Sequence, residues 1–219
     1  MKGLLVKDFS YILKDVKTYA LMLVFYVFIF SISNSGGENG AGVLSGMIIM
    51  LLFIISMNTF SYDDYNNWNR YALTMPISRN DLVFSKYVFS LLSFIVGLVL
   101  SIVVTIGINT YNGVGDFMET ISASIGVGAV YILYTSLMFP ILFKYGTEKA
   151  RMLMMAMFLV PALLVFVIVK FFPSVGSGFM RTLSNSNPIF VVVGIGLILL
   201  GVLLISVKLS LRIMKKKEF

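Results

Sequence analysis

SYDDYNNWNRYALTMPISRNDLVFSK, residues Ser61–Lys86, is a polar interval between two long apolar runs, and the chain is arranged around it. It opens on the acidic pair Asp63 and Asp64, then sets Tyr65, Trp68 and Tyr71 among Asn66, Asn67, Asn69 and Arg70. Residues three apart share a helix face, so the spacing predicts a short amphipathic helix with three rings on one side. Pro76 lacks an N–H and disfavours α geometry at Met75, which predicts a stop there. Ser78 with Asp81 three residues on has capping-box spacing and predicts that a new helix starts at once. A short helix, a proline break and a capped restart make a compact docking element, on which a partner protein can push.

The rest of the chain makes this interval stand out. Of 219 residues, 58% are hydrophobic and 12% charged, and the mean hydropathy is +0.95. Soluble domains carry about 25% charged residues, so the composition predicts an all-α integral membrane protein with no soluble domain. Cysteine is absent, which excludes disulfides and thiolate chemistry, and histidine is absent too. The net charge of +7 would suit nucleic acid, but the placement of the basic residues points to membrane topology and to no nucleic-acid partner.

In residues 1–17, Leu5, Phe9, Ile12 and Val16 step by four, three and four, with Lys7, Asp8, Lys14 and Asp15 on the other side. That pattern predicts an amphipathic elbow helix lying in the interface. Two aspartates and the further spans argue against a secretory signal. Six apolar runs follow, at about 18–34, 41–61, 86–108, 118–143, 150–172 and 189–208, each near the roughly 17–25 residues a crossing needs. With six crossings both termini lie on one side. All 17 Lys and Arg except Lys170 and Arg181 then fall on that side. The positive-inside rule places it, and segment 62–85, in the cytoplasm. The outer connections, around Glu38, around Asp116 and from Phe171 to Pro188 with an interfacial turn near Phe179, are rich in Gly, Ser and Asn and read as loops. The KKKEF tail suits anionic inner-leaflet lipid.

No ionisable residue falls in the middle of a predicted span. Ion-coupled carriers commonly hold one there, and its absence also removes any catalytic pair, cofactor site or metal site from the bilayer. Walker A is absent, so the chain is not expected to be an enzyme. Met152, Met154, Met155 and Met157 crowd the start of the fifth run, with Pro161 following. The methionines either line a path for an amphipathic guest or pack against lipid, and Pro161 makes either a hinge or a static bend. Gly42 and Gly46, Ser122 and Gly126, and Ser124 and Gly128 have the spacing that permits close helix contact.

With these features in view, the chain resembles the type-2 ATP-binding-cassette permeases along its whole length. The resemblance is most specific in LTMPISRNDLVFSKYVFSLL, Leu73–Leu92, where Leu73, Pro76, Ser78, Arg79 and Lys86 match that family's run. Where the family has an acidic–basic pair earlier in the segment, this chain has Asp63, Asp64 and Arg70. The resemblance implies two permease subunits, identical or paralogous, joined to two cytosolic ABC ATPase subunits that bind ATP and Mg. The permease itself would bind no cofactor, and Asp64–Leu73 would form a coupling helix seated in an ATPase groove. It implies docking through Asp63, Asp64, Tyr65, Trp68, Arg70, Tyr71, Leu73, Pro76, Ser78 and Arg79, and a dimer seam at the first and fifth spans; Met152, Met155 and Pro161 stay candidates for path or hinge on their own chemistry. Compact Gram-positive permeases of this size are similar to exporters of amphipathic peptides, such as phenol-soluble modulins, in the bacterial plasma membrane. Independently, a helix-in-groove contact needs an aromatic anchor ringed by polar groups, and Trp68, the only tryptophan, supplies one. Two other readings stand beside export. One is an ion-translocating or ion-coupled permease using Asn58, Thr59, Asn109 and Thr110. The other is a non-transporting scaffold or sensor for peptide immunity.

Overall fold

The computed structural model describes residues 2–32, 40–72, 74–113, 117–171 and 188–217. The expected outer loops around Glu38 and Asp116 and the turn near Phe179 lie outside the described residues, as does Leu73. Every described element is helical. They are α1 (Lys2–Ile32), α2 (Gly40–Tyr65), the short α3 (Trp68–Ala72), α4 (Arg79–Asn112), α5 (Phe117–Phe171) and α6 (Pro188–Lys216). Four stretches among the described residues are long and apolar enough to cross a membrane: Gly42–Tyr65, Arg79–Tyr111, Thr120–Ala150 and Val193–Lys216.

Two boundaries differ from the sequence reading. Residues 2–32 form one helix, with no break between the expected elbow and the first run. Nothing in VKTYAL, residues 16–21, interrupts helical geometry, because no proline or glycine is there. The second correction concerns the 62–85 segment. The helix of the second run continues to Tyr65, and α3 has only five residues, so Tyr65 and Tyr71 belong to different helices. The break falls at Asn67, whose φ of 50° is left-handed, a conformation asparagine tolerates well. The chain turns again before Pro76, through Thr74 N–H to Tyr71 O and Met75 N–H to Ala72 O. α5 is interrupted at Gly146 (φ 74°, ψ 176°), a φ that favours glycine, within the connection expected between the runs at 118–143 and 150–172. It is helical at Pro161, whose side chain lies outside the described residues.

The restart at Ser78 is as expected. Ser78 is extended (φ −77°, ψ 150°), and its Oγ accepts from the Asp81 N–H at 3.1 Å. Asp81 does not close the box on the backbone; its carboxylate accepts the Ser78 hydroxyl at 2.8 Å instead. Gly113 (φ 65°) ends α4 in the left-handed cap, donating its N–H to Asn109 O.

α2 is the hub: it packs against α1, α3, α4 and α5, and 67% of its apolar window is buried, against 17% for that of α6. Ile49, Phe53, Met57 and Phe60 of α2 meet Val83 and Tyr87 of α4, Met138, Phe139 and Leu142 of α5, and Met214 of α6. Phe60 and Tyr87 each set a ring 4.9 Å from Phe139, edge-on arrangements worth about 0.5–1.5 kcal/mol beyond area. Small residues allow these approaches. A Cβ on Gly42 or Gly46 would stand 3.9 Å from Ala123 or Val127 of α5, so the expected GxxxG face is a helix contact.

Gly128 is tighter. A Cβ there would lie 3.0 Å from the Phe94 ring and 3.3 Å from Leu98. Phe94 cannot yield freely, because it is stacked on Tyr131 at 5.2 Å. Gly128→Ala is expected to destabilise the fold by about 1–3 kcal/mol, as overpacking does. Gly126→Ala, whose Cβ would meet nothing within 4 Å, is expected to be neutral. Thermal unfolding of the two variants in detergent checks this, and equal midpoints would contradict it.

Candidate functional site at the shared end of the helices

The start of α1, the end of α2, the start of α4, the break in α5 and the end of α6 meet at one end of the bundle. Their meeting is made by ion pairs and helix caps. Lys86, in the second turn of α4, lies 2.9 Å from Asp8 Oδ1 and 2.7 Å from Asp63 Oδ2. Lys7 of α1 reaches Asp63 Oδ1 at 2.5 Å and Asp8 Oδ1 at 3.2 Å. Two ammoniums and two carboxylates cancel, so the cluster is neutral. It is also enclosed: the Asp8 side chain is fully buried, and those of Asp63 and Lys86 are 4% and 6% exposed.

Burial of such charges is tolerable only when they are paired and their remaining polar capacity is met. Lys86 adds a bond to Thr59 O at 3.2 Å and lies 5.1 Å from the centre of the Phe60 ring. Lys7 lies 4.6 Å from the centre of the Trp68 ring, a cation–π contact. Burial, with the Lys86 ammonium close by, lowers the Lys7 pKa from its ordinary value; Asp63 and Asp8 oppose that shift. Asp8 Oδ2 and Trp68 Nε1 are buried with no hydrogen-bond partner among the described residues.

Asp8 is therefore on the inner face of α1, where the sequence reading had it on the water-facing side. Of the expected apolar face, Phe9 and Val16 are exposed. Ile12 packs against Leu51, Leu52 and Ile55 and Lys14 is exposed, so the correction is confined to Asp8 and Lys7, because a charge balanced across three helices cannot be seen in one of them.

The structure divides the sequence-predicted docking residues by where they face. Asp63 is spent inside the chain, and Trp68 is half-buried against the core, with Ala72 behind it. Arg79 donates from Nη1 to Met214 O, Lys215 O and Lys217 O at 2.9–3.1 Å, capping the end of α6. Asp64 accepts from Thr147 N–H at 2.6 Å, just past the break in α5. Tyr65, Arg70, Tyr71, Pro76 and Ser78 are exposed, Tyr65 at 87%. The three rings do not form one knob: Tyr71 tilts onto Trp68 at 5.6 Å, while Tyr65 stands apart on α2.

The polar residues considered for an ion path are occupied as well. Asn58 donates to Tyr19 Oη at 2.7 Å, Thr59 to Ser56 O, Asn109 to Thr120 Oγ1 and Thr110 to Ile106 O. Met152 and Met155 are exposed beyond the break in α5. Sequence reasoning missed the cluster of Lys7, Asp8, Asp63 and Lys86 and the Asp64–Thr147 bond. The available signal was Asp63 and Lys86, two opposite charges at the facing ends of neighbouring apolar runs.

The family model described as "ABC-2 family transporter protein" matches residues 3–215. No match to a curated protein was found. The matched family is the membrane component of its transporters, not the ATPase.

Removing one member of the cluster strands opposite charge inside the protein. Lys86→Met is expected to destabilise by about 3–5 kcal/mol. Adding Asp8→Leu leaves the neutral Lys7–Asp63 pair and is expected to restore most of that loss. Thermal unfolding in detergent separates the two; a double variant no more stable than the single one would refute the neutral-cluster account.

Proposed function

Because the chain belongs to the ABC-2 transporter family, we propose that it is the membrane permease subunit of an ATP-driven exporter in a bacterial plasma membrane. Its partner by family membership is an ABC ATPase subunit. In this reading the chain crosses six times, with both termini in the cytoplasm. Two permeases, identical or paralogous, assemble with two ATPases that hold ATP and Mg. The first run and the second half of α5 form the dimer seam. The substrate is amphipathic or apolar, of the peptide class, and Met152, Met155 and Pro161 belong to its path or to a hinge beside it.

The observation that carries this reading is the two-sided build of the 62–78 connection. Its back is fastened to the bundle by Asp63, Trp68 and Arg79, while its front offers Tyr65, Arg70 and Tyr71 to a partner. Aromatic and arginine side chains are the residues that dominate interface energies. A surface held rigidly from behind transmits a push instead of absorbing it. The docking element is thus the exposed remainder of the predicted set, and Trp68 anchors it to its own chain.

Truncating Tyr65 and Tyr71 together to alanine is expected to weaken capture of the cognate ATPase at least tenfold, the effect of losing one interface anchor, without shifting the unfolding midpoint. Trp68→Ala is expected to lower the midpoint. Co-purification with the ATPase and peptide-stimulated ATP hydrolysis in lipid nanodiscs provide the readout. Full capture and full stimulation by the Tyr65/Tyr71 variant would remove this surface from the docking role.

A further inference from the structure

A second cavity, of about 540 Å3, lies between the first half of α1 and the flank of α2 and α4. Leu5, Phe9 and Leu13 form one wall, and Leu52, Leu92 and Val96 the other. Its surface is almost wholly apolar, and the hydroxyl of Ser10, which also borders it, already donates to Val6 O at 2.8 Å. The α4 wall lies inside the stretch able to cross the membrane. Phe9, Leu13 and Leu92 are each more than half exposed, so the recess opens sideways, where a bilayer would meet it.

The charges of α1 are sorted around this recess. The helix carries Lys2, Lys7, Asp8, Lys14, Asp15 and Lys17. Asp8 and Lys7 are turned into the neutral cluster, and Asp15 accepts the Tyr62 hydroxyl. The charges left facing outward are Lys2, Lys14 and Lys17, all positive. Each lies within about one turn of a wall residue: Lys2 three before Leu5, Lys14 next to Leu13, and Lys17 four beyond Leu13.

An apolar slot open to the bilayer and rimmed by cations of one sign fits an amphiphile with an anionic head. We propose that this recess binds one acyl chain of an anionic phospholipid, whose headgroup is held by the exposed lysines of α1. The chain of the lipid fills the gap between α1 and the α2–α4 flank, and the headgroup holds α1 at the membrane surface. Both acidic residues of the helix are turned away from the headgroup, so nothing of like charge opposes it. This inference rests on the recess and the charge sorting alone and is independent of the transport reading.

The test uses the full chain, purified and reconstituted in vesicles of phosphatidylcholine with 20% phosphatidylglycerol, then stripped with detergent and examined by native mass spectrometry. The wild type is expected to keep phosphatidylglycerol after phosphatidylcholine is lost. Leu92→Trp fills the slot and is expected to abolish that retention, whereas Val103→Trp, higher on α4 and also exposed, is expected to leave it unchanged. Replacing Lys2, Lys14 and Lys17 with Gln is expected to reduce the preference about fivefold per lysine, and replacing them with Arg to restore it. Equal retention of the two lipids by the wild type would overturn the proposal, and so would retention of phosphatidylglycerol by Leu92→Trp.

Discussion

Two lysines and two aspartates, drawn from three helices and all but Lys7 shut away from water, hold the terminal end of this protein together. Lys86 is the centre of the arrangement, because it touches both carboxylates and the Thr59 carbonyl. None of the four is replaceable singly without leaving a charge stranded in a low-dielectric interior. The consequence is geometric. α1 contributes Lys7 and Asp8, α2 contributes Asp63 and α4 contributes Lys86, so these three helix ends are fixed to one another at that level. Trp68, lying under Lys7, brings the short α3 into the same body.

Helix termini supply the second set of fastenings, and each follows the sign of the helix dipole. Arg79 sits on the last carbonyls of α6, and Lys217 donates to Phe143 O near the end of the first half of α5, at 3.0 Å. Cations at C-terminal carbonyls are favourable there. Asp64 does the opposite job, presenting a carboxylate to the first N–H after the α5 break. The short connections at this end are thus tied back to the bundle by charged side chains suited to the helix ends they meet.

Much of this was legible before any coordinates. Apolar run lengths located the long helices, the Ser78 cap was read from its spacing with Asp81, and the glycines at 42 and 46 marked a true contact with α5. What failed to show did so for physical reasons. An amphipathic pattern assigns charge to water by default, so Asp8 was placed outside; its partner Lys86 lies 78 residues away. Three rings at helical spacing predict one face only if the helix is unbroken, and Asn67 breaks it. The break at Gly146 falls in the polar stretch 144–149 that separates the fourth and fifth runs, although the residue at which the backbone turns was not singled out.

These contacts also divide the shared end into stiff and soft joints. Moving α1 away from α2 and α4 separates four buried charges, at several kcal/mol for each one left unpaired. Moving the second half of α5 away from α2 breaks the hydrogen bond from Thr147 N–H to Asp64 and draws Ala150 out of the core. A bond of that kind, to a charged acceptor, contributes about 1.5–3 kcal/mol. The same joint borders a cavity of about 790 Å3 lined by Asp64, Tyr65 and Gly146, so on that side it faces space. A push on the exposed face of Tyr65 and Tyr71 therefore carries α1, α2, α3 and the start of α4 as one unit. Between that unit and the second half of α5 stands Gly146, where the backbone is already non-helical and the Asp64 carboxylate meets the Thr147 N–H.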